Sequence, residues 1–401
     1  MSDHHLPPEI VSEILYRLPV KSLVKFTSVC KAWNSLITDQ TFIYDHLNRT
    51  IQASNGNNFL FFHVYFHEFR GRRRHLRMHN EYFYSMYSVN KQTNHPFLER
   101  LPFSHLFQDN RWPLFVSTCN GLVCLADCFS PLHFFLPLDY ETMLIWNPLL
   151  RKYLVLPKPI KTFKEHERFE YSLYFGFGFD SRNNDYKVIR FMNHRSTQDT
   201  PHVEVYSLVS CSWRSITVRV PHFHLGKYNG LRASFVKGAV HWVVSRRRID
   251  GLEDTFILSF DVTEETFQEL TLPRQLGESE WIHSILIDVE GGHLLVIVNR
   301  RYRNQQLVYN VWVMKEYGIA ESWTELFEFD HSHYGGISKI LALTRSGKVV
   351  MELVGGAIVL VDPIKELLEP IEHPAACGTT SVRSYVESLF FINKEPGVFS
   401  F

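Results

Sequence analysis

Apolar residues near the start of the chain follow a helical period. After Leu6-Pro7-Pro8, where proline suits a first helical turn, the run continues through Ile10 and Ile14 to Leu18, and Pro19 ends it. Two more short helices and a final turn capped by Thr38-Asp39 are predicted, with these apolar residues: Leu23, Val24, Phe26, Cys30, Trp33, Leu36, Ile37, Phe42, Ile43 and Leu47. Residues 1–48 therefore form a predicted helical domain, followed by a linker over residues 49–58.

From residue 59 the pattern changes to short apolar runs separated by polar turns, which is typical of strands. A weak repeat of strand, polar turn and strand recurs six times, about 50 to 60 residues apart, close to the kelch-type period. The repeats begin at Met86, Leu144, Val203, Ile257, Val311 and Ile358, and hairpin turns between them are predicted at Asn183-Asn184, Gly291-Gly292 and Ser346-Gly347. Two hairpins per unit give a four-stranded blade. The prediction is an α+β multidomain chain whose residues 59–401 form an all-β, six-bladed, propeller-like domain.

A propeller must close its ring, and the apolar run over residues 384–392 is the candidate closing strand. We expect it to pair with the strand over residues 59–66. The competing architecture is a pair of packed β-sandwiches, which would show no pairing between the two ends of the domain.

Composition narrows the class of protein. The chain has 401 residues, of which 45% are hydrophobic and 21% charged, as in ordinary globular domains. Its 42 basic and 42 acidic residues balance, so binding of nucleic acid through general phosphate neutralisation is not expected. The first residues lack the pattern of a signal peptide, and no apolar run is long enough for a membrane helix. The six cysteines lack the spacing of a disulfide framework, which favours a cytoplasmic or nuclear location.

The helical segment carries more apolar side chains than its size can bury. About forty residues have too much surface for their volume to cover such a set internally. The excess must pack on the β-domain or on another protein. The sequence pattern alone leaves both alternatives open.

Two stretches of sequence resemble known families. The helical segment resembles the F-box over Leu6-Pro7 through Leu18-Pro19 to Leu23, and then over Val29-Cys30-Lys31-x-Trp33 and Leu36-Ile37. The β-region resembles the F-box-associated domain of plant F-box proteins at these stretches: Asn120-Gly121-Leu122-Val123-Cys124, Trp146-Asn147-Pro148, Phe177-Gly178-Phe179-Asp180 with Asp185-Tyr186-Lys187-Val188, Val205-Tyr206-Ser207-Leu208 with Ser212-Trp213, and Val311 to Gly318.

The resemblance implies an adaptor rather than an enzyme. Such a chain binds a Skp-type adaptor, and through it the cullin and RING subunits of a ubiquitin ligase, while its β-domain captures an unidentified protein substrate. No cofactor or metal is implied. Carried over by position, the adaptor-facing residues are Leu6, Pro7, Ile10, Ile14, Leu15, Leu18, Pro19, Leu23 and Cys30. Trp33 and Leu36 are assigned instead to holding the helices together.

Two other functions fit the same layout. One is a pollen S-locus F-box protein that recognises style ribonucleases, and the other is a propeller enzyme that processes glycans. The second needs converging carboxylates, and no nucleophile and base are recognisable in the sequence. Gly176 and Gly178 lack the third glycine and the helix of a phosphate loop, and Cys119, Cys124, Cys128 and His133 lack the spacing of a zinc site.

Substrate recognition is expected from loops on one face of the propeller, because loops vary freely over a rigid scaffold. The long candidate loops are residues 67–80, 157–170, 192–202, 221–232 and 272–281.

Overall fold

The computed structural model describes these residues: 6–53, 58–69, 77–89, 99–106, 111–129, 142–162, 171–194, 200–221, 223, 233–247, 253–273, 276, 285–288, 295–303, 306–344, 346–371, 378–393 and 397–400. Within them, four helices precede a series of antiparallel sheets. None of the helices in this described part is long and apolar enough to cross a membrane.

The helices begin at the residues that the sequence indicates. Helix α1 (Pro8–Tyr16) starts with proline in its first turn, and α2 (Val20–Phe26) starts directly after Pro19. Helix α3 (Lys31–Ile37) is capped by the Cys30 sulfur, which accepts the Trp33 N–H at 3.4 Å. Helix α4 (Gln40–Ala53) begins after Asp39, whose carboxylate accepts the Thr41 N–H at 2.9 Å. The predicted final turn is thus a helix of 14 residues that extends beyond residue 48 into the predicted linker.

The strands are β1 (Asn58–Phe69), β2 (Arg77–Ser88), β3 (Glu99–Arg100), β4 (Arg111–Cys119), β5 (Leu122–Phe129), β6 (Met143–Asn147), β7 (Lys152–Val155), β8 (Tyr171–Asp180), β9 (Asp185–His194), β10 (His202–Ser207), β11 (Ser212–Ile216), β12 (Ser234–Val236), β13 (Ala239–Arg247), β14 (Glu253–Asp261), β15 (Thr266–Leu270), β16 (Ile285–Asp288), β17 (Leu295–Arg303), β18 (Gln306–Met314), β19 (Trp323–Asp330), β20 (Ile337–Leu343), β21 (Val349–Leu353), β22 (Ile358–Asp362), β23 (Leu367–Ile371), β24 (Gly378–Ser384) and β25 (Val398–Ser400). Short 3₁₀ turns lie at Ser104–Leu106, Ala320–Ser322 and His333–Gly335.

In the described residues these strands form six sheets. Five have the predicted four strands, in the orders β24-β1-β2-β3, β8 to β11, β12 to β15, β16 to β19, and β20 to β23. The remaining sheet, β4 to β7, has a fifth strand because β25 pairs with β7. The prediction of four strands in every unit is wrong for this sheet. Three residues near the end of the chain are too short a run to show strand periodicity in the sequence.

The two ends of the β-domain pair with each other. Strand β24 runs antiparallel to β1, with Phe59 opposite Ser384 and Tyr65 opposite Gly378. The predicted partner strand is therefore correct, but the closing strand is Gly378–Ser384 rather than residues 384–392. This pairing excludes two independent β-sandwiches. The innermost strands of successive sheets also contact one another in the order β4, β8, β12, β16, β20 and β24, and β24 contacts β4 again.

Antiparallel connections alternate between the two faces of such a ring. The turns from first to second strand and from third to fourth strand lie on one face, which we call the helix-side face. The connections from second to third strand, and from one sheet to the next, lie on the other face, which we call the opposite face. The helices pack on the first of these, since Leu149 and Leu150, between β6 and β7, contact the helical core.

Large aromatic side chains fill the space between neighbouring sheets. Trp146, Trp242 and Tyr174 are fully buried, and Trp242 donates its indole N–H to the Phe175 carbonyl at 2.7 Å. A methyl group added at Gly176 would lie 2.6 Å from the Trp242 ring. The glycines of the Phe175-to-Phe179 strand therefore serve close packing, as expected for glycine inside a strand.

Candidate functional site

The helices share one apolar cluster with the β-domain. Its fully buried members from the helices include Leu15, Val20, Leu23 and Ile37, and Leu389 from the C-terminal part of the chain packs among them. The β-domain therefore covers one side of the helical segment. Only the remaining side is free to meet another protein.

The structure divides the nine predicted adaptor-facing residues into three groups. Leu18 is half-buried, and Leu15 and Leu23 are fully buried in the shared cluster. Leu15 and Leu23 therefore hold the helices together instead of presenting surface, because helical spacing marks an apolar stripe without showing which neighbour covers it. The exposed members are Leu6, Pro7, Ile10, Ile14, Pro19 and Cys30.

Two more exposed apolar residues were not among the predicted adaptor-facing residues. Val24 and Val29 lie beside the predicted set, and Val29 is 59% exposed. Five of the thirteen large apolar side chains that the described part leaves exposed lie between residues 6 and 29. We call Leu6, Ile10, Ile14, Val24 and Val29 the exposed apolar set. The signal for Val29 was present in the sequence, since Val29 belongs to the Val29-Cys30-Lys31-x-Trp33 stretch that resembles the F-box.

Trp33 and Leu36 have the role that the sequence assigned to them. Both are half-buried against the shared cluster, and the Trp33 ring lies 5.3 Å from the Phe26 ring. They hold α2 and α3 together.

Polar contacts tie α1 to α4 at the edge of this surface. Arg49 donates to both carboxylate oxygens of Glu13 at 2.8 and 3.0 Å, and its guanidinium lies 4.2 Å from the centre of the Tyr16 ring. The Arg49 hydrogen bonds lower the pKa of Glu13. His46 is buried beneath, with Nε2 2.9 Å from the Leu18 carbonyl oxygen, and burial lowers its pKa. His46 therefore stays neutral at neutral pH and donates to that carbonyl.

Hydrogen bonds between described residues attach the helices to the β-domain. The Val20 N–H donates to Glu387 at 3.2 Å, and the Tyr44 hydroxyl donates to the Asn184 carbonyl at 2.9 Å. The Asn393 amide donates to the Thr38 carbonyl at 2.8 Å. The helices are thus docked on the β-domain through several elements and are not held by the linker alone.

The long candidate loops all attach to the opposite face. Residues 157–170, 221–232 and 272–281 join one sheet to the next, while 67–80 and 192–202 join second to third strands. Most of the residues within these loops lie outside the described part of the chain. The strand ends that carry them nevertheless share one face, away from the helices.

Comparison with protein families assigns both regions. Residues 4–44 match the F-box domain, and residues 74–391 match the F-box associated beta propeller domain. The chain belongs to the F-box proteins with an F-box-associated propeller. The coarse prediction of a helical F-box followed by a β-propeller is therefore confirmed, as is the resemblance on which it rested.

Several curated relatives of this F-box protein are from Arabidopsis thaliana. A putative F-box protein is 27% identical over 91% of this chain and 84% of its own length, and an F-box/kelch-repeat protein is 27% identical over 81% and 79%. The F-box protein CPR1 is 27% identical over 80% of this chain and 72% of its own length. These relatives are named as F-box proteins and not as enzymes, and the family is one of adaptors.

Among solved structures, a polysaccharide lyase of the ulvan lyase family aligns with 10% identity and a TM-score of 0.41, covering 80% of this chain and 78% of that chain. So low a score supports no argument about function.

The other candidate chemistry of the sequence does not assemble into a site within the described residues. Cys119 and Cys124 are buried thiols, and burial raises the pKa of Cys124. The side chain of Cys128 and all of His133 lie outside the described part. Where the structure describes the chain, no three His, Cys, Asp or Glu side chains are grouped so as to hold a metal ion.

Proposed function

We propose that this F-box protein is the substrate-recognition subunit of a Skp–cullin–F-box ubiquitin ligase. Its F-box binds a Skp-type adaptor, which connects it to the cullin and RING subunits, and its propeller binds a target protein for ubiquitination. The observation that carries the proposal is the exposed apolar set on the side of the F-box that the propeller leaves uncovered.

The adaptor-binding surface is proposed to be apolar at its centre and basic nearby. Leu6, Ile10 and Ile14 are 58%, 47% and 45% exposed, so each has apolar area to bury in a complex. Exposed Lys21, Lys25 and Lys31 on α2 and α3 favour an acidic partner. Association with the adaptor is then expected to slow as salt concentration rises.

The target protein is proposed to bind the opposite face of the propeller. All five long candidate loops attach there, and the F-box occupies the other face. A chain that binds the adaptor through its F-box and the target through its propeller raises the local concentration of the target beside the ligase. It needs no catalytic residues of its own for this role. We also propose that the six sheets are six blades around one axis, with the five-stranded sheet as one of them. The sequence of contacts between innermost strands supports this count.

The adaptor interface is tested by Ile14→Asp in the full-length protein. A carboxylate buried against an apolar partner surface is strongly unfavourable, so adaptor affinity is expected to fall at least about tenfold in a pull-down or calorimetric titration. Ile14 is preferred to Leu18 for this test because Leu18 is half-buried in the F-box itself.

The matched control is Ile364→Asp, at a position that is 84% exposed on the turn between β22 and β23. It introduces the same charge on the propeller and should leave adaptor affinity unchanged. Equal affinities for the wild type and Ile14→Asp would remove the proposed interface.

A further inference from the structure

The chain that follows the closing strand β24 leaves the sheet and packs between the propeller and the F-box. Residues 385–393, which we call the strap, continue from β24 without strand pairing. The Tyr385 N–H donates to the Asn58 carbonyl at 2.9 Å, where β1 begins. Tyr385, Val386, Ser388 and Leu389 are buried. The strap is therefore an interior part of the molecule that lies between its two domains.

On the propeller side, the strap contacts residues of the helix-side turns, which we call the socket. The Asn147 amide donates to the Ser388 and Phe390 carbonyls at 3.0 and 2.8 Å. Its own oxygen accepts the Leu149 and Leu150 N–H groups, both at 3.1 Å. All four hydrogen-bonding positions of this buried side chain are thus used to join the turn after β6 to the strap.

Two more contacts complete the socket. The Lys152 ammonium donates to the Phe391 and Ile392 carbonyls at 2.6 and 2.7 Å, and the Tyr186 ring meets the Phe390 ring edge-on at 4.6 Å. The side chains of the propeller therefore satisfy backbone carbonyls that have no partner in a sheet.

Glycine at position 121 is required by the strap. A Cβ there would lie 2.5 Å from Ser388 Cβ and 2.6 Å from the Val386 carbonyl oxygen. Asn120 and Gly121 form a two-residue turn with φ values of 50° and 79°. The turn brings backbone into direct contact with the strap, so any side chain at this position would push the strap away.

On the F-box side, the strap supplies one fully buried residue of the apolar cluster and two polar caps. Leu389 is fully buried among Leu15, Val20 and Leu23. Glu387 accepts the first N–H of α2, and Asn393 donates to the Thr38 carbonyl that follows α3. Both helix ends would otherwise present backbone groups without a helical partner.

We propose that the strap is a structural component of the F-box, and that it fixes the orientation of the adaptor-binding helices on the propeller. Its Leu389 completes the F-box core, while Gly121, Asn147 and Tyr186 anchor it from below. Closure of the ring by β24 and packing of the F-box are then coupled, although their residues are more than 300 positions apart in sequence. The role of the strap in a ligase rests on the proposed function. There, an F-box of fixed orientation would hold the opposite face of the propeller at a constant position relative to the other subunits.

The test compares Gly121→Ala with Gly238→Ala in the full chain. Gly238 has the same φ of 79° and also follows a residue with positive φ, Lys237, in a first-to-second-strand turn. Its Cβ position has nothing within 4 Å, so this control introduces the same backbone strain without touching the strap.

Hydrogen–deuterium exchange of the free chain measures the outcome. In Gly121→Ala, amides of α1 to α3 and of the strap should exchange at least about tenfold faster than in Gly238→Ala, whereas β13 and β14 stay protected in both. Small-angle scattering should show a larger radius of gyration for Gly121→Ala only.

Leu389→Ala is the second variant, because it leaves the propeller turns intact. Loss of this buried side chain should speed exchange in α1 to α3 about 30-fold, which corresponds to about 2 kcal/mol. Leu258→Ala, at an equally buried position in β14, should leave those helices as in the wild type.

Unchanged protection of α1 to α3 in both Gly121→Ala and Leu389→Ala would overturn the proposal. These measurements need no adaptor, so failure of the wild type to bind one would count against the proposed function and leave this result standing.

Discussion

Lys187 lies at the centre of a buried charge cluster beneath the F-box, and we predict that its loss strongly destabilises the fold. The Lys187 ammonium donates to Asp180 at 2.7 Å, to Glu265 at 2.9 Å and to the Val262 carbonyl at 3.0 Å. It thereby joins the hairpin of β8 and β9 to the end of β14 in the next sheet. Asp180 is fully buried and Lys187 nearly so. Burial alone would raise the pKa of Asp180, but hydrogen bonds from Lys187 and Asn183 outweigh it and hold that pKa at about 2.

Lys187→Met removes the charge and keeps the length of the side chain. The buried Asp180 carboxylate is then left without its cation and without access to water, while Glu265 keeps its ion pair with Arg214. Breaking a buried pair in this way costs about 3–5 kcal/mol. We expect that loss in the free energy of unfolding, measured by urea denaturation at pH 7 with tryptophan fluorescence as the probe.

The control is Arg182→Gln, which removes a pair joining the same two sheets at the surface. Arg182 and Glu264 lie 2.5 Å apart, but both side chains are more than half exposed. Such pairs contribute about 0–1 kcal/mol, so this variant should be close to the wild type. Small and equal losses in the two variants would refute the argument that burial makes the Lys187 cluster strong.

The same cluster has a predictable pH dependence. The pKa of Asp180 is lower in the folded chain than in the unfolded chain, so its contribution is fully present above pH about 4 and is lost as pH falls through about 2. The shift corresponds to about 2 kcal/mol. A difference between the wild type and Lys187→Met that stayed constant from pH 7 down to pH 3 would contradict this assignment.

Two further predictions concern buried groups in the propeller. His241 is fully buried, and its Nε2 lies 2.7 Å from the Tyr317 hydroxyl oxygen. Its other polar neighbours are the Ser259 hydroxyl and the Ser234 carbonyl. The Lys237 ammonium lies over the Tyr317 ring. Burial lowers the pKa of His241 to about 4, so its stability contribution is complete above pH about 6.5 and falls as pH drops towards 4. The free energy of unfolding should fall by about 2 kcal/mol more between pH 7 and 5 in the wild type than in His241→Gln. Gly176→Ala places a methyl group against Trp242 and Val240 and should cost about 1–3 kcal/mol in urea denaturation; an unchanged midpoint would mean that Trp242 can move aside.

The helices were predictable because their signals are local. Pro8 and Pro19 mark the starts of α1 and α2, and Asp39 caps α4 as expected. The direction that each apolar residue faces was not predictable for Leu15 and Leu23. Their neighbour Leu389 lies more than 360 residues away in sequence, and the helical spacing of apolar residues does not indicate which distant residue will cover them.

The closing strand shows where periodicity misleads. Residues 384–392 are rich in apolar side chains and were predicted as a strand, whereas the strand that pairs is the more polar Gly378–Ser384. The apolar side chains are needed between two domains and not within a sheet. Their backbone carbonyls are satisfied by Asn147 and Lys152, which lie far away in sequence.

The positions of the family motifs explain why the sequence identifies the class of protein but not its target. Asn120-Gly121, Trp146-Asn147-Pro148 and the Phe177-to-Val188 hairpin all lie at helix-side turns. Gly121, Asn147 and Tyr186 contact the strap, and Phe179 lies 5.9 Å from the Tyr44 ring of the F-box. These motifs therefore build the joint between F-box and propeller, which every chain of this layout needs whatever it captures. The opposite face carries the long loops and none of these three motifs. A resemblance that rests on the joint therefore identifies the family and gives no information about the target proposed to bind the opposite face.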